Sequence, residues 1–100
     1  MGLGNADIEQ DLQELPEKVA DALQAWRMAT LDREKCEGLL YSLYKGEDKE
    51  RTATEIRALV HASDARYSCI LAEIKAEANY ERLYESLMCA KKKADLRTAY

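Results

Sequence analysis

One apolar stripe constrains this chain more than any other feature. Leu12, Leu15, Val19, Ala22, Trp26, Ala29, Arg33, Cys36, Leu40 and Leu43 follow one another in steps of three and four. That spacing, held over about four heptads, requires a long helix that turns one face toward a partner helix. Arg33 is the only charge in the stripe. Its stem can pack in the seam while the guanidinium reaches water or a carboxylate, so the expected role is snorkelling or register-setting rather than catalysis.

The partner helix follows a bend. In "LYSLYKGEDKERTATEI", residues 39–55, the stripe ends at Leu43 and Tyr44, Lys45 adds a cation suited to a helix C-terminus, and Gly46 is the expected left-handed stop. Thr52 and Glu55 have the spacing of a capping box, so the next helix is expected to start between Asp48 and Thr52. Beyond the bend, Ile56, Val60, Ser63, Tyr67, Ile70 and Ile74 keep the alternation of four and three, and Ala76, Tyr80, Leu83, Leu87, Ala90 and Ala94 form a further stripe. This continuity favours one helix through "HASDA", with Ser63 and Asp64 as caps of a separate third helix in the alternative reading.

Four glycines, one proline and 34% charged residues agree with an all-α chain. A second helix reaching Thr98 would outrun a first helix that began at Pro16, and proline is tolerated in a first helical turn. The expected layout is therefore a single domain, residues 1–100: a short helix at about 6–15, a long helix at about 16–45, a bend at 46–51 and a long, interruptible helix at about 52–98. Tyr84 and Met88 lie beside the last stripe, and a helix with two apolar faces packs on more than its hairpin partner. The expected fold class is an all-α antiparallel hairpin of long helices that forms a dimeric bundle. Its ends complement each other, because residues 7–21 are acidic at Asp7, Glu9, Asp11, Glu14, Glu17 and Asp21, whereas Lys91, Lys92, Lys93 and Arg97 make the other end basic.

Little in the sequence suggests chemistry. His61 has no histidine or cysteine at helical metal spacing, and Ser63 and Asp64 beside it would be scattered around one helix, so neither a metal site nor a catalytic triad is expected. Glu73, Glu77 and Glu81 share a face without the histidine of a Glu-x-x-His di-metal signature and read as a solvated acidic face. Cys36, Cys69 and Cys89 form no C-x-x-C pair and read as reduced, small core residues. No catalytic residue and no cofactor is expected. No apolar run approaches the ~20 residues of a membrane span, and the N-terminus lacks the basic and apolar regions of a secretory signal, which sets the expectation of a cytoplasmic protein.

Contact residues are the stronger candidates. Six tyrosines and no phenylalanine suit half-buried surfaces, and Tyr41, Tyr44, Tyr80 and Tyr84 are the candidate partner-binding set, for a second copy or another protein, with packing at the core edge of a thin hairpin as the competing and slightly favoured reading. The alternative site is the basic end, where Lys91, Lys92, Lys93 and Arg97 could hold phosphates weakly and without sequence preference, with Tyr100 stacking on a base. A net charge of −4 and the lack of a nucleic-acid motif weigh against it.

Two resemblances add to this reading. "AEANYERLYESLMCAKKKADLR" after "GEDKERTATEI" resembles the second helix of small helical-hairpin proteins of bacteriophages and prophages, over residues 19–97. That resemblance implies a phage-type accessory protein, an adaptor or inhibitor of a host or phage protein, and assigns no functional residue. "YKG", Tyr44 to Gly46, is similar to the Trp-x-Gly bend of small secreted helical hairpins, with tyrosine in place of tryptophan. The Tyr-x-x-x-Asp export signal that this family carries after its second helix is missing at that place in this sequence.

Overall fold

The computed structural model describes the backbone of residues 2–99 and the side chains of residues 7–98. Three helices follow one another: α1, Gly2–Glu47; α2, Ala53–His61; and α3, Asp64–Ala99. The fold is all-α among the described residues. The helices make two compact units, one from residues 1–26 with 76–100 and the other from Arg27–Lys75.

In the first unit the start of α1 packs antiparallel to the end of α3. Leu15, Leu87 and Ala90 are buried together, with Leu12, Val19 and Leu83 packed against them. Burying each leucine contributes about 1.5–3 kcal/mol. The expected short helix at about 6–15 is not a separate element, because Pro16 lies inside α1. Pro16 faces solvent, whereas Leu12, Leu15, Val19 and Ala22 continue the inward stripe on either side of it. The proline costs a backbone hydrogen bond on the outer face, and the packed stripe carries the helix across it.

In the second unit Ile56 is fully buried and Val60 nearly so, both on α2. Thr52 is the N-cap of α2, and its hydroxyl accepts a hydrogen bond from the Glu55 N–H at 3.2 Å, as the capping-box spacing predicted. The other end of the bend differs from expectation. Gly46 is helical, no glycine among the described residues has a positive φ, and α1 ends one residue later. Cations close the bend instead. Lys45 Nζ donates to the Lys49 and Arg51 carbonyls at 2.9 and 2.8 Å. Arg51 donates to the Tyr44 carbonyl at 2.8 Å, and its guanidinium lies 5.8 Å from the Tyr44 ring centroid. These bonds satisfy carbonyls left open at the bend and the helix C-terminus, the need that a left-handed glycine would otherwise meet.

"HASDA" breaks the second helix. Ala62 donates to the Ala58 carbonyl and Ser63 to the Val60 carbonyl, both at 3.1 Å, before α3 starts with Asp64 in its first turn. Ser63 is the residue before α3, as in the alternative reading. The break changes the inward phase: Ser63, Arg66, Ile70 and Glu73 are half-buried, whereas Tyr67 and Ile74, expected inward, are 62% and 54% exposed.

Candidate functional site

The tyrosines do not form one set. Tyr41 and Tyr44 lie in the second unit, on the last turns of α1, and Tyr80 and Tyr84 lie on α3 in the first unit. Tyr80 stacks on Trp26 with ring centroids 5.5 Å apart, and Tyr84 lies 5.9 Å from Tyr80, so three rings pack in a row. Such contacts contribute about 0.5–1.5 kcal/mol each beyond their buried area. Tyr44, near the end of α1, lies under Arg51. Of the four, Tyr41 and Tyr84 are exposed enough to meet a partner.

The larger exposed apolar surface was not foreseen. Among the described residues eleven large hydrophobic side chains are exposed, and eight of them belong to the second unit. On α1, Met28, Leu31, Leu39 and Leu43 fall within about a third of the helix circumference at 100° per residue. On α3, Tyr67, Leu71 and Ile74 lie on one narrow face. Leu43 was expected in the buried stripe, yet it is 56% exposed. The signal was present in the sequence as a second set of apolar residues beside the first heptad stripe.

Between these faces the second unit holds a charged layer. Arg33 Nε meets Glu73 Oε2 at 2.6 Å and Arg33 donates to Glu37 Oε1 at 2.7 Å, with all three side chains less than a third exposed. Arg66 Nε lies 3.5 Å from the same Glu37 oxygen, close enough for attraction but outside hydrogen-bond geometry. The two carboxylates hold Arg33 more firmly charged than usual, Glu37 foremost. In return the Arg33 hydrogen bond, helped by Arg66, lowers the Glu37 pKa below the ordinary carboxylate range. Arg33 thus has the carboxylate partner its place in the stripe required, and Glu73 is half-buried rather than part of a solvated acidic face.

At the ends, the expected partners come together without pairing. Lys93 lines an open cleft of about 600 Å³ with Asp7, Asp11, Arg82, Glu85 and Cys89. Among the described residues, Lys91, Lys92, Lys93 and Arg97 are exposed and make no ion pair within 4.0 Å. The cleft mixes both signs of charge, which is a poor cradle for phosphate. Tyr100 lies outside the described residues.

His61 shares a small cleft with Glu37, Tyr41, Arg57 and Val60, and neither Ser63 nor Asp64 lines it. Among the described residues no three His, Cys, Asp or Glu side chains gather as a metal site. Cys36 and Cys69 are half-buried, but Cys89, expected in the core, is exposed. No helix among the described residues is long and apolar enough to cross a membrane. Tyr44 to Gly46 is helical, so the bend does not fall on the segment that is similar to a Trp-x-Gly turn.

Compared with protein-family models, curated proteins and solved structures, the chain matches none. The class the fold itself defines is a small all-helical protein with exposed apolar helix faces.

Proposed function

We propose that this chain works by protein contact without catalysis, first pairing with a second copy of itself and then serving as an adaptor or inhibitor of another protein. The observation that carries this reading is surface. Only six hydrophobic residues are buried among those described, whereas eight large ones are exposed in the second unit alone, and contiguous exposed apolar faces mark contact surfaces. The faces that would be covered are Met28, Leu31, Leu39 and Leu43 on α1 and Tyr67, Leu71 and Ile74 on α3. The resemblance to phage and prophage helical hairpins supplies the setting, an accessory protein directed at a host or phage protein.

Sedimentation equilibrium tests the first step. The expected mass is twice 11.4 kDa at micromolar concentration, falling to the monomer in Leu39→Asp and Ile74→Asp with helix content kept. A monomer at all concentrations overturns it. Affinity capture of the tagged protein from bacterial lysate, with nuclease, tests the second step; recovery of the bait alone in repeated captures refutes an outside partner.

A second reading draws on the exposed, unpaired cations Lys91, Lys92, Lys93 and Arg97. They would bind single-stranded nucleic acid weakly, with affinity falling steeply as salt rises. A shift of labelled DNA at low salt, lost when all four are changed to glutamine, supports it, and no shift at low salt refutes it.

A further inference from the structure

Cys36 lies one turn beyond Arg33 on α1, and Cys69 one turn before Glu73 on α3. The Arg33–Glu73 ion pair at 2.6 Å fixes the two helices on one side of these cysteines. The Glu37–Arg66 contact at 3.5 Å fixes them on the other. In an antiparallel pair, facing positions advance on one helix as they retreat on the other, so two bridges that bracket Cys36 and Cys69 bring them opposite each other. Both thiols are half-buried, and neither is in a disulfide. Burial, followed by the neighbouring Cys69 thiol, raises the Cys36 pKa above the ordinary thiol value. Cys36 is therefore held as the slow-reacting thiol near neutral pH, and its attack as a thiolate accelerates as pH rises.

We propose that Cys36 and Cys69 form a two-thiol modification site that closes to a disulfide between α1 and α3 when a peroxide is the oxidant. One thiolate attacks a peroxide oxygen, the O–O bond breaks, and the departing oxygen leaves as water once protonated, giving a sulfenic acid. The second sulfur attacks that sulfenic sulfur, the S–O bond breaks, and a second water carries off the hydroxyl and the thiol proton. Overall, two thiols lose two electrons and two protons, and one hydrogen peroxide becomes two waters. The bond would enclose the bend and α2 in one covalent loop and join the helices on either side of them. Cys89 belongs to the other unit and is exposed, so it is replaced in the test to leave the two facing thiols alone.

The test uses the full chain carrying Cys89→Ser, treated with hydrogen peroxide at mildly alkaline pH and at low protein concentration. The expected result is loss of both maleimide-reactive thiols, a mass lower by two hydrogens, and a peptide map linking the segments that hold residues 36 and 69. An upward shift of the urea midpoint, reversed by dithiothreitol, is expected with it. Adding Cys36→Ser or Cys69→Ser should leave a sulfenic acid that dimedone traps, because no second thiol can resolve it. Survival of both thiols overturns the proposal. So does addition of oxygen without loss of hydrogen, a disulfide only between chains, or equal dimedone labelling with and without the second cysteine.

Discussion

Replacing Arg33 by methionine should expose the logic of the charged layer. The substitution keeps most of the packing stem and removes bonds of 2.6 Å to Glu73 and 2.7 Å to Glu37. Charge-assisted hydrogen bonds contribute about 1.5–3 kcal/mol each, and stranding one partner of a fully buried pair costs about 3–5 kcal/mol. Arg33 and Glu73 are 24% and 22% exposed at the side chain, so water recovers part of this loss. Arg33→Met should destabilise the protein by about 2 kcal/mol, and Glu73→Met by about 1.5 kcal/mol. The double variant should lie within ~0.5 kcal/mol of the parent, since an apolar pair of similar volume replaces an ion pair at little cost and Glu37 retains Arg66. Urea unfolding followed by circular dichroism at one protein concentration measures all four chains. A double variant as unstable as the sum of the singles would refute the reasoning, because the two residues would then not act as a pair.

Acid should unfold the protein partly through Glu37. Its pKa is lowered in the fold, so its contribution is complete above the ordinary glutamate value of about 4.3 and is lost as pH falls through the folded value beneath it. Urea midpoints measured from pH 6 to 3 should therefore fall less in Glu37→Gln than in the parent. Ile56→Ala removes a side chain with 0% exposure and should cost about 2–5 kcal/mol, whereas Leu39→Ala, at 63% exposure, should cost much less in the dilute monomer. Thermal melts at low protein concentration compare the two. Gly38 sits inside α1, has no positive φ, and an added Cβ would meet nothing within 4 Å, so Gly38→Ala should raise stability by about 0.5–1 kcal/mol in the same melts.

The buried stripe of α1 was legible because heptad spacing depends only on helix geometry. From Leu12 to Leu40 each residue of the stripe is buried or half-buried in the structure. Local chemistry was legible where a side chain acts on its own backbone, as at Thr52. The phase of α3 was not. Extending an unbroken alternation through "HASDA" placed Tyr67 and Ile74 inward, but the break at Ala62 and Ser63 puts two steps of three in succession, so that Arg66 follows Ser63 on the inner face. Arg33 held the missing clue. A lone charge in an apolar seam calls for a carboxylate opposite it, and Glu73 was available at a matching position. Gly46 misled because residue type alone does not show that two cations can close a helix end in its place. The candidate contact surface was only partly legible, since the tyrosines marked aromatic packing more than exposure, and the second apolar stripe was masked by the first.

The charged layer also bears on how the hairpin avoids misassembly. Apart from Trp26, Cys36 and Tyr80, the seam is built mainly from small and aliphatic residues at heptad spacing, so a displacement of seven residues alters its apolar contacts less than its charges. Sliding α3 by one heptad in one direction would bring Arg66 opposite Arg33 and set Glu73 against Trp26. Sliding it the other way would leave Glu73 against Leu40. Each displaced state strands or opposes charges in a half-buried seam, at a cost larger than the small differences in apolar packing. Beyond its native contacts, the Arg33–Glu73 pair should therefore disfavour out-of-step collapse.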